Sequence, residues 1–463
     1  MIFNMTGGGG GGIELTVVNG SSAPTSPAEN TIWVLTTLTI GNVYVSPTAP
    51  SSPATGDVWV NTSGTAVCVM TLSEDPTAEV NISGFKIYQN GTWAEPGGGI
   101  QCGGVWYDLT AKVYGIKRSL SSSSPAWTRT DASANFTATA SVGTSAGSSS
   151  FSSCYPWSGM VRETLSTGDV MVKIPKFYYK RYRDSSYEYI QIADNPKDGF
   201  ALHPAFNHGG VATDCVYVGA YKTVSGHKSA SGSKPLVSLT RASFRSNAQS
   251  KGSGWGIIDL STVSAIQMLY LVEFANSNSQ AMIGRGYVDK TSSGASINTG
   301  TTNSVANLTG RASGTDGLTD VVYRGVEGFW GNVYEWTDGL NCYGGSSGET
   351  YYVCNNPDYY ADDTSSNYTK LGFLSPTSSN YITLEGLDSS NSYAILPVTA
   401  SGGSETSYEC DYCYCTTSAS WYVLSRGGAW GTGSKAGLFC VNLDYTSSSA
   451  AANIGSRLLF IPS

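Results

Sequence analysis

Two stretches decide how this chain is read. One is Gly325-Val-Glu-Gly-Phe-Trp-Gly-Asn-Val-Tyr-Glu-Trp336. The other is Leu424-Ser-Arg-Gly-Gly-Ala-Trp430, continuing through Ala436-Gly-Leu-Phe439 to Asn453-Ile-Gly-Ser-Arg457. Both set glycines beside tryptophans, a pairing that lets a backbone approach a large flat side chain. Both also carry charges in apolar surroundings, and Glu335, Arg426 and Arg457 are tolerable in an interior only if paired or hydrogen-bonded. The expectation is a rigid framework made of Gly331, Asn332, Glu335, Trp336, Arg426, Gly427, Gly428, Trp430, Gly455 and Arg457.

Composition widens that reading. Only 13% of the 463 residues are charged, whereas 55 are glycine, 29 tyrosine and 11 tryptophan. A disordered chain would be charged and poor in aromatics, so the bulk of this one folds. A net charge of −8 argues against a protein that reads nucleic-acid phosphates. Low charge with abundant Gly, Ser, Thr and Tyr suggests strands and long loops. One helix stands out, from about Ser261 to Asn276, with Asp259 or Ser261 as cap and Val263, Ile266, Leu269, Tyr270 and Val272 at helical spacing. Val170-Met-Val-Lys-Ile174, Phe177-Tyr-Tyr179 and Cys215-Val-Tyr-Val218 read as strands.

The first arginine is Arg118, and the region before Lys112 is rich in Pro, Gly and Thr. It repeats itself: Ala23-Pro-Thr-Ser-Pro27 followed by Ile32-Trp-Val34 recurs as Ala49-Pro-Ser-Ser-Pro53 followed by Val58-Trp-Val60. A proline turn and a Trp-centred strand, used twice, imply two small β units. Two domains follow, residues 1–112 and residues 113–463. The start, Met1-Ile-Phe-Asn-Met-Thr6, lacks a basic n-region, and Ile266–Ala275 is too short to cross a bilayer. The expected product is made in the cytoplasm without membrane insertion.

Catalytic and metal signals are thin. Cys410-x-x-Cys413-x-Cys415 lacks a fourth ligand, since His203, His208 and His227 lie far away in sequence. Zinc, disulfides and incidental thiols all stay open there. Gly284-Arg-Gly286 is an incomplete phosphate loop, and His203-Pro-Ala-Phe206 reads as a packed turn.

Taken together, Gly331-Asn332-x-x-Glu335-Trp336, Arg426-Gly-Gly-x-Trp430 and Ile454-Gly-Ser-Arg457 resemble the C-type-lectin-like fold of the formylglycine-generating-enzyme type, with Ser456 in place of the usual aromatic. The implied fold class is α+β: a mixed, loop-rich C-type-lectin-like domain preceded by a small all-β region. The enzymatic members bind copper through a cysteine pair after the RGG segment, but Ala429–Phe439 contains no cysteine. No catalytic residue, no metal and no cofactor is expected. Calcium is a second candidate ion: Asn356-Pro357-Asp358 has the outline of a calcium-lectin motif, with Trp336-Thr-Asp338 a poor companion triplet.

Residues 421–463 also look like the variable region of proteins diversified by retroelements, in which adenine-directed rewriting randomises the first two bases of AAC-type codons. Ala429, Gly431, Thr432, Cys440, Asp444, Tyr445, Thr446 and Ser447 can all arise that way, whereas Trp421, Trp430 and Lys435 cannot. Those eight, with Tyr422, are the expected recognition residues. The opening segment and the Ser-Pro-Ala-x-x-x-x-Trp-Val units resemble front ends of phage tail proteins. Ile174-Pro-Lys-Phe-Tyr178 and Asp198-Gly-Phe-Ala-Leu-His-Pro-Ala-Phe206 resemble phage tail lectin-like domains. The resemblance implies a homotrimeric receptor-binding protein of the virion tail. It would be mounted through residues 1–112 on other tail proteins and adsorb to a host bacterial surface receptor, protein or glycan.

Overall fold

The computed structural model describes residues 111–197, 199–291 and 295–462, together with the backbone of nine strands between residues 2 and 108. The chain divides into two compact units: Met1–Val113 with Ala193–Ala201, and Tyr114–Ile192 with Leu202–Ser463.

In the first unit each Pro/Trp repeat contributes a strand to a different sheet. Thr31–Leu35 lies parallel to Ile13–Gly20, with Trp33 opposite Val18. Val58–Asn61 lies parallel to Val43–Ser46, with Trp59 opposite Tyr44. Each then takes an antiparallel neighbour on its other side, Gly97–Cys102 and Phe85–Gln89 respectively. The proline segments of the repeat lie outside the described residues.

The second unit is built of short strands and long loops around the helix α2, Leu260–Phe274. Asp259 caps it by accepting from Thr262 N at 2.8 Å, and Ala275 ends it in the left-handed conformation. Every residue of α2 is buried, so its apolar stripe is only part of its packing surface. Several of its polar groups find partners outside the helix: Ser264 Oγ donates to Tyr393 O, Gln267 Nε2 to Leu438 O, and Glu273 pairs with Arg324, whereas Thr262 Oγ1, Gln267 Oε1 and Tyr270 OH are buried without one. A shorter helix, α1 (Arg241–Gln249), starts at Thr240 and turns Arg241, Phe244, Arg245 and Ala248 inward. The sequence reading missed it, because half of its buried face is arginine.

The two quoted stretches are neighbouring strands. Tyr334–Tyr343 runs antiparallel to Trp421–Arg426, placing Glu335 opposite Arg426, and parallel to Ile454–Gly455, placing Glu335 opposite Gly455. The register between Trp336 and Asn341 is interrupted by a bulge that contains Gly339 at φ 80°. Leu458–Phe460 leaves this sheet for another, pairing with Cys215–Gly219 and Trp255–Ile257. The mostly-β architecture with loops is compatible with a C-type-lectin-like fold. Among the described residues, no helix is long and apolar enough to cross a membrane.

Candidate functional site

Beneath the site lies one carboxylate held by three cations. Glu335 Oε1 accepts from Lys222 Nζ at 2.8 Å and from Arg457 Nε and Nη2 at 2.9 and 2.6 Å; Oε2 accepts from Arg426 Nη1 at 2.7 Å. All four side chains are buried. Burial alone would raise the Glu335 carboxyl, but Arg457, Lys222 and Arg426 overcome it and hold the group well below the usual carboxylate range. Burial pulls the Lys222 ammonium down to about 8, with Glu335 opposing. The guanidinium groups also tie down main chain. Arg426 donates to Phe329 O at 2.7 Å and lies 3.6 Å from the Phe329 ring centroid. Arg457 donates to Gly219 O and Glu327 O, each at 2.7 Å. Sequence reasoning found three of these four charges and missed Lys222, which sits in no motif.

Glycine geometry carries this framework into the loop that follows Arg426. Gly427 and Gly428 have φ 86° and 82°, and a Cβ on Gly428 would come 2.6 Å from the Ala436 side chain. Gly331 N donates to Gly427 O at 3.1 Å, and Trp430 N donates to Asn332 O at 3.0 Å. Asn332 is held in turn by exchanging side-chain bonds with the Ile297 backbone, both at 3.1 Å. The loop 429–435 is therefore held largely through its main chain, with the Thr432 hydroxyl accepting from Ala429 N at 2.8 Å, which leaves the exposed Gly431 position free to differ.

Over this frame opens a depression of about 950 Å³. Five of the expected recognition residues line it: Ala429, Gly431, Thr432, Asp444 and Tyr445. Gly431 and Asp444 are exposed, Thr432 and Tyr445 half-buried, and Ala429 forms buried floor. Thr446 and Ser447 follow directly and are half-buried. Two expectations are corrected. Cys440 is fully buried in a core cluster with Trp336 and Val423, and Tyr422 is buried with Leu424 and Tyr351. Neither side chain belongs to the exposed face: Tyr422 opposes Cys342 inside the sheet, and Gly427 N takes the Cys440 carbonyl.

The rest of the wall was not foreseen. Tyr334, Tyr414 and Lys435 join Trp430 in lining the depression. Lys435 Nζ stands 4.5 Å from the Tyr412 ring centroid, and the Tyr412 and Tyr414 rings are 4.7 Å apart. The available signal was the alternation Tyr412-Cys413-Tyr414, which puts both tyrosines on one face of a strand and Cys413 in the core. Burial raises the phenol of Tyr414, and partial desolvation at the wall of the depression raises the carboxyl of Asp444 although the residue reaches solvent. The site thus offers aromatic surface, one ammonium, one carboxylate and several hydroxyls, a mix suited to recognition.

The other candidates sit elsewhere. His203 is buried against Phe177 and Tyr179, accepts from Ala205 N at 3.2 Å, and is driven down to about 3 by burial. The described cysteines are free thiols, and no group of three or more His, Cys, Asp or Glu side chains among the described residues could hold a metal ion. The calcium outline does not fit an ion. Asn356 Oδ1 accepts from Asp358 N at 3.0 Å, and Arg245 occupies both oxygens of Asp338.

No protein-family model matches the chain, and no curated protein does. Among solved structures, a Major Tropism Determinant U1 variant is similar over 88% of this chain and 95% of its own, at 13% identity and a TM-score of 0.25. A likeness at that level carries no argument, and the functional reading stands on the geometry.

Proposed function

We propose that this chain is a phage tail-tip receptor-binding protein whose second unit presents a diversified recognition face to a host cell-surface receptor, protein or glycan. Residues 1–112 mount it on other tail proteins, the assembly is a homotrimer, and the chain performs no catalysis. One observation supports this above the rest. Gly431, Thr432, Asp444 and Tyr445 share one open depression, while the backbone beneath them is tied to the buried Glu335 cluster. Tyr445, Trp430 and Tyr414 give apolar contact at low entropic cost, and Thr432, Asp444 and Lys435 add polar selectivity, much as paratopes do. Several copies on one virion would multiply a modest single-site affinity by roughly 10²–10⁴.

The test is binding of the fluorescently labelled full chain to a panel of bacterial strains, scored by cytometry. Saturable binding to some strains, abolished by Tyr445→Ala together with Thr432→Lys, supports the reading. Binding that ignores those changes, or no binding to any strain, favours a structural tail component instead. Diversification has its own test in the flanking DNA. A near-copy of the 3′ end differing only where the copy has adenine, beside a reverse-transcriptase gene, is the expected finding.

A further inference from the structure

The sheet that carries Glu335 has a second face, which runs out past the recognition loops. On Tyr334–Tyr343 and Trp421–Arg426, the side chains of Cys342, Tyr422 and Leu424 belong to the core. Strand alternation therefore turns Asn341, Tyr343, Trp421 and Val423 to the other side. Tyr352 of Thr350–Val353 joins them there, since it opposes Asn341, and Lys370 of Thr369–Leu374 opposes Tyr352 in turn. The inner row of this face is roofed. Asn341 Nδ2 donates to the carbonyls of Ala361 and Thr364, each at 2.9 Å, and Val423 N donates to Tyr445 O at 2.9 Å. Ser447 Oγ donates to Asp363 and ties the two roofing loops together. One row further out Tyr343 is 40% exposed, with Trp421 and Tyr352 half-buried.

Those three rings form one cluster. The Trp421 ring lies 5.1 Å from Tyr343 and 5.5 Å from Tyr352, at interplanar angles of 71° and 49°. Tyr343 and Trp421 are direct partners across the ladder, so strand backbone sets their spacing. The codon rule that marks the recognition loops does not reach them: Trp421 cannot arise from an AAC-type codon, and Tyr343 and Tyr352 precede residues 421–463. Trp421 is nevertheless only two residues, about 7 Å of strand, from Val423, whose amide holds Tyr445. The cluster is continuous with the recognition face.

Chemistry selects the occupant. Rings tilted against one another present edges and notches rather than a single open flat face, which suits an inserted side chain better than a stacked sugar ring. The exposed Lys370 ammonium at the margin calls for a carboxylate opposite. Tryptophan and tyrosine at the centre with a charged rim is the make-up of protein–protein contacts. We propose that the recognition face extends onto Trp421, Tyr343 and Tyr352, and that the receptor is a protein that seats an apolar side chain among these rings and sets an acidic residue against Lys370. The proposal rests on the recognition reading above and adds a division of labour: the triad holds every receptor of the class, and the depression chooses among them.

The experiment is binding of the labelled full chain to the bacterial panel, with cells untreated, treated with proteinase, or oxidised with periodate. Binding should vanish after proteinase and persist after periodate. Trp421→Ala and Tyr343→Ser should each raise the half-saturating concentration about tenfold or more on every strain bound, at unchanged melting temperature and unchanged mass by light scattering. Undiminished binding by a folded Trp421→Ala variant, binding that resists proteinase, or binding destroyed by periodate overturns the proposal. So does a fall in mass of the Trp421→Ala chain, which would make the cluster a contact between subunits. If alanine lowers the melting temperature, Lys370→Glu at the exposed margin decides: weakened binding supports the proposal, and unchanged binding overturns it. Binding that is lost on Tyr445→Ala with Thr432→Lys but kept by Trp421→Ala and Tyr343→Ser overturns the triad alone and leaves the recognition reading standing. No binding of the unaltered chain to any strain overturns both.

Discussion

The Glu335 cluster and the loop face above it meet in the short segment that follows Arg426 and obey opposite rules. Around Glu335 every charge has a fixed partner, and the backbone carbonyls of Phe329, Gly219 and Glu327 take up further guanidinium protons, although Arg426 Nε stays unpaired. On the face, Gly431 and Asp444 reach solvent, and the loop's course is set by main-chain bonds together with the Gln280 amide on Gly433 O and Ala436 O and the Thr432 hydroxyl, which accepts from Ala429 N. The contrast teaches that tolerance to change is a property of how the backbone is held, not of distance from the core. Gly431 is exposed and Gly428 buried only three positions earlier.

That contrast breaks most sharply at its buried end. Glu335→Gln leaves Lys222, Arg426 and Arg457 facing one another without a carboxylate. It should destabilise the second unit by about 3–5 kcal/mol, enough to show as a large fall in the urea midpoint. Arg241→Met comes next. It removes bonds to Asp362, Asn341 and the carbonyls of Thr337 and Leu340, and about 3 kcal/mol is expected by the same measurement. A loss below about 0.5 kcal/mol at both positions would dissolve the distinction between frame and face.

Two buried titratable groups sharpen the comparison through pH. Burial and the neighbouring Cys415 push the Glu349 carboxyl up to about 9, and neither of its oxygens has a partner. The folded state keeps that proton while the unfolded chain releases it near 4.5, so stability falls as pH rises from there toward 9. His203 works the other way: its folded value of about 3 lies below the ordinary 6.5, so stability falls as pH drops from 6.5 toward 3. Each slope is at most about 1.4 kcal/mol per pH unit. Glu349→Gln should therefore stabilise by about 2 kcal/mol at pH 8 and much less near pH 5, read from melting temperatures at the two pH values. Equal effects at both would mean that Glu349 is ionised in the folded protein.

How much of this was legible in the sequence follows from what each residue's neighbours reveal. Glu335, Arg426 and Arg457 stood out because a charge among glycines and tryptophans has few places to go. The helix α2 announced itself through Asp259 and its apolar spacing. Lys222 carried no such mark, since Ala-Tyr-Lys-Thr is an ordinary surface pattern and its burial is decided by Glu335, far away in the chain. The helix α1 stayed hidden because Arg241 and Arg245 face Asp338 and Asp362, so hydrophobic periodicity could not register it. Cys440 looked variable because its residue type fits a codon rule, and Tyr422 was expected on the face as an aromatic contact. A codon rule says nothing about which side of a strand a residue faces.

The smallest expected effects lie on the face itself, where two neighbours should behave differently. Asp444→Asn changes an exposed side chain, and its main-chain N–H keeps its bond to Asn442 Oδ1 at 3.1 Å. Stability should move by less than about 0.5 kcal/mol. Tyr445 is less free, since its ring meets the buried Trp336 edge-on at 5.9 Å. Tyr445→Ala should cost about 1 kcal/mol of stability through that lost contact, and about 2 kcal/mol or more of receptor binding if it is a central anchor. Comparing the two variants by thermal melting and by cell binding separates a residue that only reports to the receptor from one that also leans on the frame. Equal stability losses at 444 and 445 would show that the aromatic contact with Trp336 contributes nothing, and that the face is uniformly loose rather than anchored at one point.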